Sequence, residues 1–166
     1  GETTEINLER LAESHIDGFK LTDISITNSK NTGRIVSGED LILIIKYEAD
    51  RKYSCPAFVV QIKDDAGQEI IRLSNMPISG YEIKELHKEG QIRLTIDPLP
   101  VVKGLYFIDI GFVHEKMEWH FRLENIIRLY VEGKDVYESG IELDRARGLV
   151  WAKHAWEHSR ITNAQN

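Results

Sequence analysis

Histidine and cysteine are the residue types best suited to bind a metal or act as a nucleophile, and the chain has six histidines and one cysteine. His154 and His158 lie four residues apart, a spacing that places two imidazoles on one face of a helix. The segment before His154 has the composition of a strand, however, and Ala155 stands where a zinc-protease motif has its general base. Cys55 precedes Pro56 and carries no local signature of a thiol enzyme. The sequence therefore predicts no metal site, no cofactor and no reactive thiol.

Carboxylates occur in pairs, but each pair falls in a predicted turn, where aspartate is favoured for backbone reasons. Glycoside hydrolysis needs two carboxylates roughly 5–10 Å apart across a cleft, and nothing in the sequence selects such a pair. The sequence also contains no phosphate-binding loop and no nucleophile elbow. These observations favour a binding protein over an enzyme and leave a glycan-modifying enzyme as an alternative. The pairs are Glu39-Asp40, Asp64-Asp65 and Glu142 with Asp144.

Three predicted strands, beginning near Ala57, Leu105 and Ile126, carry a mixture of rings, an amide and charges on one side. We take these strands as neighbours in one sheet. Sugars are bound by this chemistry, because rings cover their C–H faces and paired donors and acceptors bind their hydroxyls. The alternative is a solvated sheet face with a cross-strand Asp109–Arg128 ion pair. The candidate binding residues are Gln61, Lys63, Phe107, Asp109, Arg128 and Tyr130.

A second candidate site consists of two aromatic residues on predicted loops at one end of the fold, Tyr53 and Trp119. Exposed aromatic residues on loops serve binding more often than exposed aliphatic ones do. The alternative is that these rings fold over the edge of the core.

Composition limits the classes of protein to which the chain can belong. Its 166 residues are 42% hydrophobic, enough for one domain with a sizeable core. The net charge of −6 argues against nucleic acid or an anionic membrane as a partner. A single cysteine cannot form an internal disulfide, which suits a reducing compartment. No apolar run is long enough to span a membrane, and we expect no signal peptide.

The elements that must position these residues are short strands. The clearest runs from Leu105 to Val113, where Tyr106, Ile108, Ile110 and Phe112 alternate with a second set and suit a core. Seven to nine such strands with turns between them predict an all-β fold, an antiparallel β-sandwich of immunoglobulin-like or jelly-roll type. A short helix is predicted over Thr3–Ile16. The expected division is a linker and helix over 1–18, the sandwich over 19–157 and a frayed tail over 158–166.

The order and spacing of several segments between Leu21 and Trp156 resemble one known family. That family is the C-terminal carbohydrate-binding domain of the nucleotide-binding subunit (Wzt) of O-antigen polysaccharide ABC exporters. None of the segments is distinctive alone, but together they cover most of the chain. They are Val36–Tyr47, Pro56–Asp64, Leu99–Tyr106, Arg122–Val131 and Ser139–Trp156.

The resemblance implies a non-catalytic domain that binds the terminal region of a finished, lipid-linked polysaccharide in the cytoplasm and selects it for export. It implies partners in an ATPase domain and in the transmembrane subunit, at the inner face of the inner membrane. It also implies a homodimer with exchange of terminal strands, and here Gly148–Trp156 is the expected segment because it follows a long polar connection. A structural adaptor that only dimerises or docks on a protein is the alternative. The binding residues named above come from the sheet-face pattern and not from the resemblance.

Overall fold

The computed structural model describes residues 3–113 and 118–161 and contains, within them, nine β-strands and two 3₁₀ helices. The 3₁₀ helices are Leu8–Ser14 and Arg145–Arg147. None of these helices is long and apolar enough to cross a membrane. The strands are β1 (Glu5–Ile6), β2 (Phe19–Thr27), β3 (Ile35–Val36), β4 (Leu41–Ala49), β5 (Ala57–Asp64), β6 (Glu69–Ser74), β7 (Glu89–Ile96), β8 (Gly104–Val113) and β9 (Trp119–Glu132).

The strands form two sheets, which confirms the predicted β-sandwich. The large sheet has the order β1-β9-β8-β5-β6, with every neighbouring pair antiparallel, and β3 adds to β9 in parallel. The small sheet has the order β2-β4-β7. The predicted neighbours β5, β8 and β9 lie side by side, with β8 in the middle. A register shift between Leu21 and Asp23 marks an irregularity in the pairing of β2 with β4.

The core lies between the sheets, and β8 supplies its centre. Tyr106, Ile108, Ile110 and Phe112 are all buried, as the alternation along this strand predicts. On the small sheet, β4 contributes Leu41, Leu43 and Ile45 to the same core. The other side of β8 faces away from the small sheet and is therefore available for a different task.

The predicted N-terminal helix is shorter and begins later than expected. Residues Glu5–Ile6 form β1 and pair with β9, and Thr4 accepts a hydrogen bond from the backbone of Tyr130 instead of capping a helix. The backbone of β9 offers these residues hydrogen bonds that a short isolated helix cannot match. Helical turns are limited to Leu8–Ser14, where Leu11 is buried.

Two other segments differ from the sequence-based expectation. The polar composition of His114–His120 predicts the loop that carries Trp119. Residues 114–117 lie outside the described part of the chain, while Trp119 and His120 already belong to β9. The predicted last strand at Gly148–Trp156 is extended but makes only one β-bridge, between Val101 and Val150. The physical reason is that no strand among residues 3–113 and 118–161 pairs with the rest of this segment.

The buried hydroxyl of Tyr106 leads to a first prediction. It donates a hydrogen bond to the Val102 carbonyl oxygen (2.7 Å), and burial raises the pKa of Tyr106 to about 12. Between pH 10 and 12 the unfolded chain loses this proton while the folded chain keeps it, so stability falls as the pH rises through that range. We expect a loss of about 2–3 kcal/mol from this group. Urea unfolding at pH 9, 10 and 11 should show about half of this loss by pH 11, and an equally steep fall in Tyr106→Phe would contradict the assignment.

Candidate functional site

The side of the large sheet that faces away from the core is called the outer face here. Strand register brings all six predicted binding residues to it. Gln61 pairs with Asp109, and Lys63, Phe107 and Arg128 lie directly opposite one another across three strands. Tyr130 pairs with Leu105 on the same side. Directly opposed residues have Cβ atoms about 4.5–5.5 Å apart, so these side chains are immediate neighbours.

Asp109 is fully buried in the middle of the outer face and is held by two cations. Its carboxylate lies 2.9 Å from the Lys63 ammonium and 2.9 Å from the Arg122 guanidinium. The backbone N–H of Asn125 donates a third bond to it, at 2.7 Å. The cross-strand Asp109–Arg128 ion pair of the alternative interpretation does not form, since Arg122 takes that place.

A bulge in β9 explains this change of partner. Ile108 and Ile110 on β8 are two residues apart, whereas the residues they pair with, Ile127 and Leu123, are four apart. The two additional residues leave the ladder opposite Asp109 and turn a backbone N–H toward its carboxylate. Because the insertion is of two residues, β9 stays in phase, and Arg122 lies on the same face as Arg128 and Tyr130.

A second network of polar side chains lies beside the Asp109 cluster, toward the β6 edge of the sheet. The Gln61 side-chain amide donates to Glu69 (2.8 Å), and the Arg72 guanidinium donates to the same carboxylate (2.7 Å). The bond from Arg72 lowers the pKa of Glu69. Gln61 is buried. Gln61 and Asp109 therefore lie beneath the surface of the outer face and support the side chains above them.

Trp119 covers one end of the outer face. A Cβ atom on Gly111 would lie 2.2 Å from Cζ3 of the indole, so the ring rests directly on this glycine. The Arg122 guanidinium stacks on the same ring at 5.4 Å from its centroid. Trp119 remains 41% exposed. Gly111 and Arg122 thus hold the ring in place while part of it stays accessible to solvent.

Tyr53 lies elsewhere, which corrects the prediction of a shared loop site with Trp119. Its ring packs edge-on against Phe19 and Phe112 in the core, at 6.1 and 5.2 Å between centroids. Its hydroxyl donates to the carbonyl oxygen of Asp17. Burial raises the pKa of Tyr53. The ring closes the end of the core, and Trp119 joins the outer face.

The accessible part of the outer face thus combines rings and guanidinium groups. Phe107 and Tyr130 are both half-buried. Phe107 lies directly opposite Arg128 on β8, and Tyr130 lies two residues beyond Arg128 on β9. Arg128 donates to the Thr3 carbonyl oxygen at 3.3 Å, and within residues 3–113 and 118–161 it forms no ion pair. Such a surface can stack on the C–H face of a ring and donate several hydrogen bonds to oxygen atoms.

Arg122 is the residue of this face that the sequence-based argument missed. Arg122 is an even number of residues from Arg128 and Tyr130, so its side chain points to the same face of the sheet. The apolar residues Phe121 and Leu123 beside it point to the core. That alternation is the signal that could have identified it. It was missed because the predicted strand began near Ile126, whereas β9 already begins at Trp119.

The histidine pair of the C-terminal segment shows no arrangement for metal binding. His154 and His158 lie outside any helix, so a separation of four residues does not place their side chains on one helical face. In the described portion of the chain, no group of three or more metal-binding side chains comes together. Cys55 is exposed.

Comparison with known proteins identifies the class to which this fold and face belong. The family model of the Wzt C-terminal domain matches residues 13–151, and the chain belongs to this family. It is a family of non-catalytic binding domains with a carbohydrate-binding role in the O-antigen transporter. Wzt itself is a cytoplasmic subunit of that ABC transporter. No curated protein matches the sequence significantly.

Solved structures support the fold. A crystal structure of the C-terminal domain of Wzt superposes with a TM-score of 0.68 at 14% sequence identity, covering 86% of this chain and 84% of that one. A Niemann-Pick type C2 protein from Japanese carpenter ant has a TM-score of 0.51 at 14% identity, covering 72% of this chain and 97% of that one. At this level of identity the likeness concerns the β-sandwich.

Proposed function

We propose that the outer face binds the terminal region of a lipid-linked O-antigen polysaccharide and thereby selects the chain for export. The observation that carries this proposal is the row of accessible rings and guanidinium groups from Trp119 to Tyr130. The family match gives the carbohydrate context. The face lies on three hydrogen-bonded strands and not on loops, so its side chains are held in position before a ligand arrives.

Each part of the face has a distinct task in this proposal. Trp119, Phe107 and Tyr130 stack on the C–H faces of successive sugar residues, and Arg122 and Arg128 donate hydrogen bonds to hydroxyl or other oxygen atoms. Asp109 holds Lys63 and Arg122 in place from below. Lys63 is only 13% exposed and already paired, so it positions other residues and does not contact the glycan.

The outer face offers little for glycan hydrolysis. The carboxylate at its centre, Asp109, is buried and holds two cations, and Glu69 is bonded to Arg72 and Gln61. Neither carboxylate is free to act on a substrate, because Asp109 is enclosed with its two cations and Glu69 is engaged by Arg72 and Gln61. Binding without turnover is therefore the activity that this surface supports best.

Titration of the chain with O-polysaccharide purified from the strain that encodes it tests the proposal. We expect saturable binding that Phe107→Ala and Arg128→Ala each weaken at least about tenfold, which corresponds to about 1.4 kcal/mol. Arg93→Ala is the matched control, because Arg93 is an exposed strand arginine on the small sheet. Unchanged affinity in both outer-face variants would overturn the site. Turnover of the polymer would replace binding by an enzymatic function, and an outer face covered by a protein partner would favour an adaptor.

We also propose a homodimer in which Gly148–Trp156 is exchanged between two copies of the chain. The segment is extended, and apolar side chains on it and just beyond it lack cover: Val150 is 51% exposed, Trp156 89% and Ile161 91%. Exposed apolar side chains in such a row are typical of an interface. Two linked glycan sites would raise the avidity for a polymer.

Removal of the exposed segment is expected to abolish the dimer. Truncation after Arg147 removes Val150 and Trp156 but leaves all nine described strands intact. Light scattering of the eluting protein should show twice the monomer mass for the full chain and the monomer mass for the truncated one. Equal masses would contradict the exchange. In the transporter, the proposed partners of this dimer are the ATPase domain and the transmembrane subunit, at the inner face of the inner membrane.

A further inference from the structure

A cleft of about 830 Å³ lies between the two sheets, on the opposite side of β5 from the outer face. It exists because the edge strands β6 and β7 do not pair with each other. Ile71 and Leu73 form one wall, Ile92 and Leu94 form the other, and the connection between β6 and β7 crosses its mouth. Its volume is within the range of small-molecule sites, about 300–1,000 Å³.

The apolar side chains of this cleft are incompletely covered. Ile92, Leu94 and Ile96 point toward the core, yet each is only partly buried, whereas Leu41 and Leu43 on the neighbouring strand are fully buried. Protein interiors are normally packed without voids of this size. The core of the sandwich is therefore unfilled along this edge.

Two polar side chains that line the cleft are already engaged in hydrogen bonds. The Tyr47 hydroxyl accepts from the backbone N–H of His87 (3.1 Å). The Asn75 side chain accepts from the Phe58 N–H (2.7 Å) and donates to the Pro56 carbonyl oxygen (3.0 Å). Water needs two to four polar partners to be stable in a buried space. The interior of the cleft thus favours an apolar occupant over water.

The backbone geometry selects the kind of occupant. Hydrogen-bonding groups of a sheet lie in its plane, so a cleft between two sheets is lined by side chains. A peptide inserted between the sheets, away from the free edges of β6 and β7, would leave its own N–H and C=O groups without partners, which is costly. A hydrocarbon chain has no such groups. At the mouth, exposed Glu85, His87, Gln91 and Arg93 provide both signs of charge for a polar head group.

From this geometry we propose that the cleft binds the hydrocarbon chain of an amphiphile, with the head group at the mouth. The site is separate from the glycan-binding face, because successive residues of β5 point to opposite sides. Val60 lines the cleft, whereas Gln61 lies on the outer face. Binding of an amphiphile in the cleft therefore does not depend on carbohydrate binding at the outer face.

Stearic acid with a nitroxide at carbon 16, kept below its micelle concentration, tests the proposal on the full chain. In spectra of isoleucine methyl groups, we expect saturable loss of the Ile71 and Ile92 signals. The signal of Ile141, which is 45% exposed on a distant segment, should persist. Leu94→Trp fills the cleft and should weaken binding at least about tenfold. Lys46→Trp, on the exposed side of the same sheet, should leave it unchanged.

Three results would overturn the proposal. The first is the absence of saturable binding, and the second is equal loss of the Ile141 signal, which indicates non-specific contact. The third is a shift of the same methyl groups by a peptide of residues 149–161 without any effect of the stearate, which would assign the cleft to a second copy of the chain. The methyl spectra of the unsubstituted chain decide the matter even if Leu94→Trp fails to fold.

Discussion

Replacement of Asp109 by alanine is expected to lower the free energy of unfolding by about 3–5 kcal/mol. The carboxylate is fully buried, and its loss leaves the Lys63 ammonium and the Arg122 guanidinium without their shared anion. The N–H of Asn125 in the β9 bulge loses its acceptor as well. Removing one member of a buried charge cluster costs far more than removing a surface pair, because the remaining charges are poorly solvated.

Urea unfolding of the two proteins measures this difference, and salt distinguishes its origin. Buried charges are weakly screened, so the difference should persist in 1 M salt, where the screening length is about 3 Å. Asp65→Ala is the matched control, because Asp65 is exposed and pairs with Arg145 at the surface. We expect this control to cost less than about 1 kcal/mol. A cost for Asp109→Ala as small as that of the control would show that the cluster does not hold the outer face together.

Loss of the indole of Trp119 is expected to have the largest effect on carbohydrate binding. The ring lies close enough to Gly111 to forbid a Cβ there, and Trp119 is still 41% exposed. Tryptophan in such a position is a typical binding hot spot, worth about 2 kcal/mol or more. Trp119→Ala should therefore weaken binding of the O-polysaccharide about 30-fold or more.

Gly111→Ala offers a companion test that keeps the tryptophan but displaces it. The added methyl group would overlap Cζ3 of the ring and would approach the Phe121 carbonyl oxygen to 3.2 Å, so the ring must move. We expect weaker binding, together with a changed fluorescence spectrum of Trp119. Gly33→Ala is the control, since a Cβ there meets nothing within 4 Å. Full affinity in both Trp119→Ala and Gly111→Ala would remove this ring from the proposed site.

The two faces of β8 were predictable because alternation along a strand depends only on local geometry. The apolar set from Tyr106 to Phe112 indicated the core side, and the interruption by Asp109 and Gly111 indicated that the other side has a different role. The order of β5, β8 and β9 followed from the pattern of a sandwich. These predictions are confirmed by the register of the strands.

The partner of Asp109 was not predictable in the same way. Its assignment requires the length of the β9 bulge, and a two-residue insertion leaves the alternation in phase and thus invisible in the apolar pattern. The burial of Gln61 depends on the side chains of Glu69 and Arg72 on the next strand, which is a tertiary effect. Gln61 and Asp109 were predicted to contact the ligand, but because they are buried they support the side chains above them instead.

Residues in β1 and at the start of β9 adopt the structure that tertiary contacts favour and not the one that local propensity predicts. Glu5 and Ile6 suit the first turn of a helix, but the free edge of β9 recruits them into a strand. Trp119 looked like a loop residue because His114–His120 is polar, yet β9 extends back to include it. Both outcomes depend on a neighbouring strand that is distant in sequence.

The most direct test of glycan recognition by the outer face is a map of amide chemical shifts during titration with the O-polysaccharide. We expect the changes to cluster on the central strands of the large sheet, at Lys63, Phe107 and Arg128, and at the indole N–H of Trp119. Amides of β2 and β4 on the small sheet should not change. Shifts confined to the small sheet, to the cleft between the sheets or to the surroundings of Tyr53 would contradict the assignment of the glycan site to the outer face.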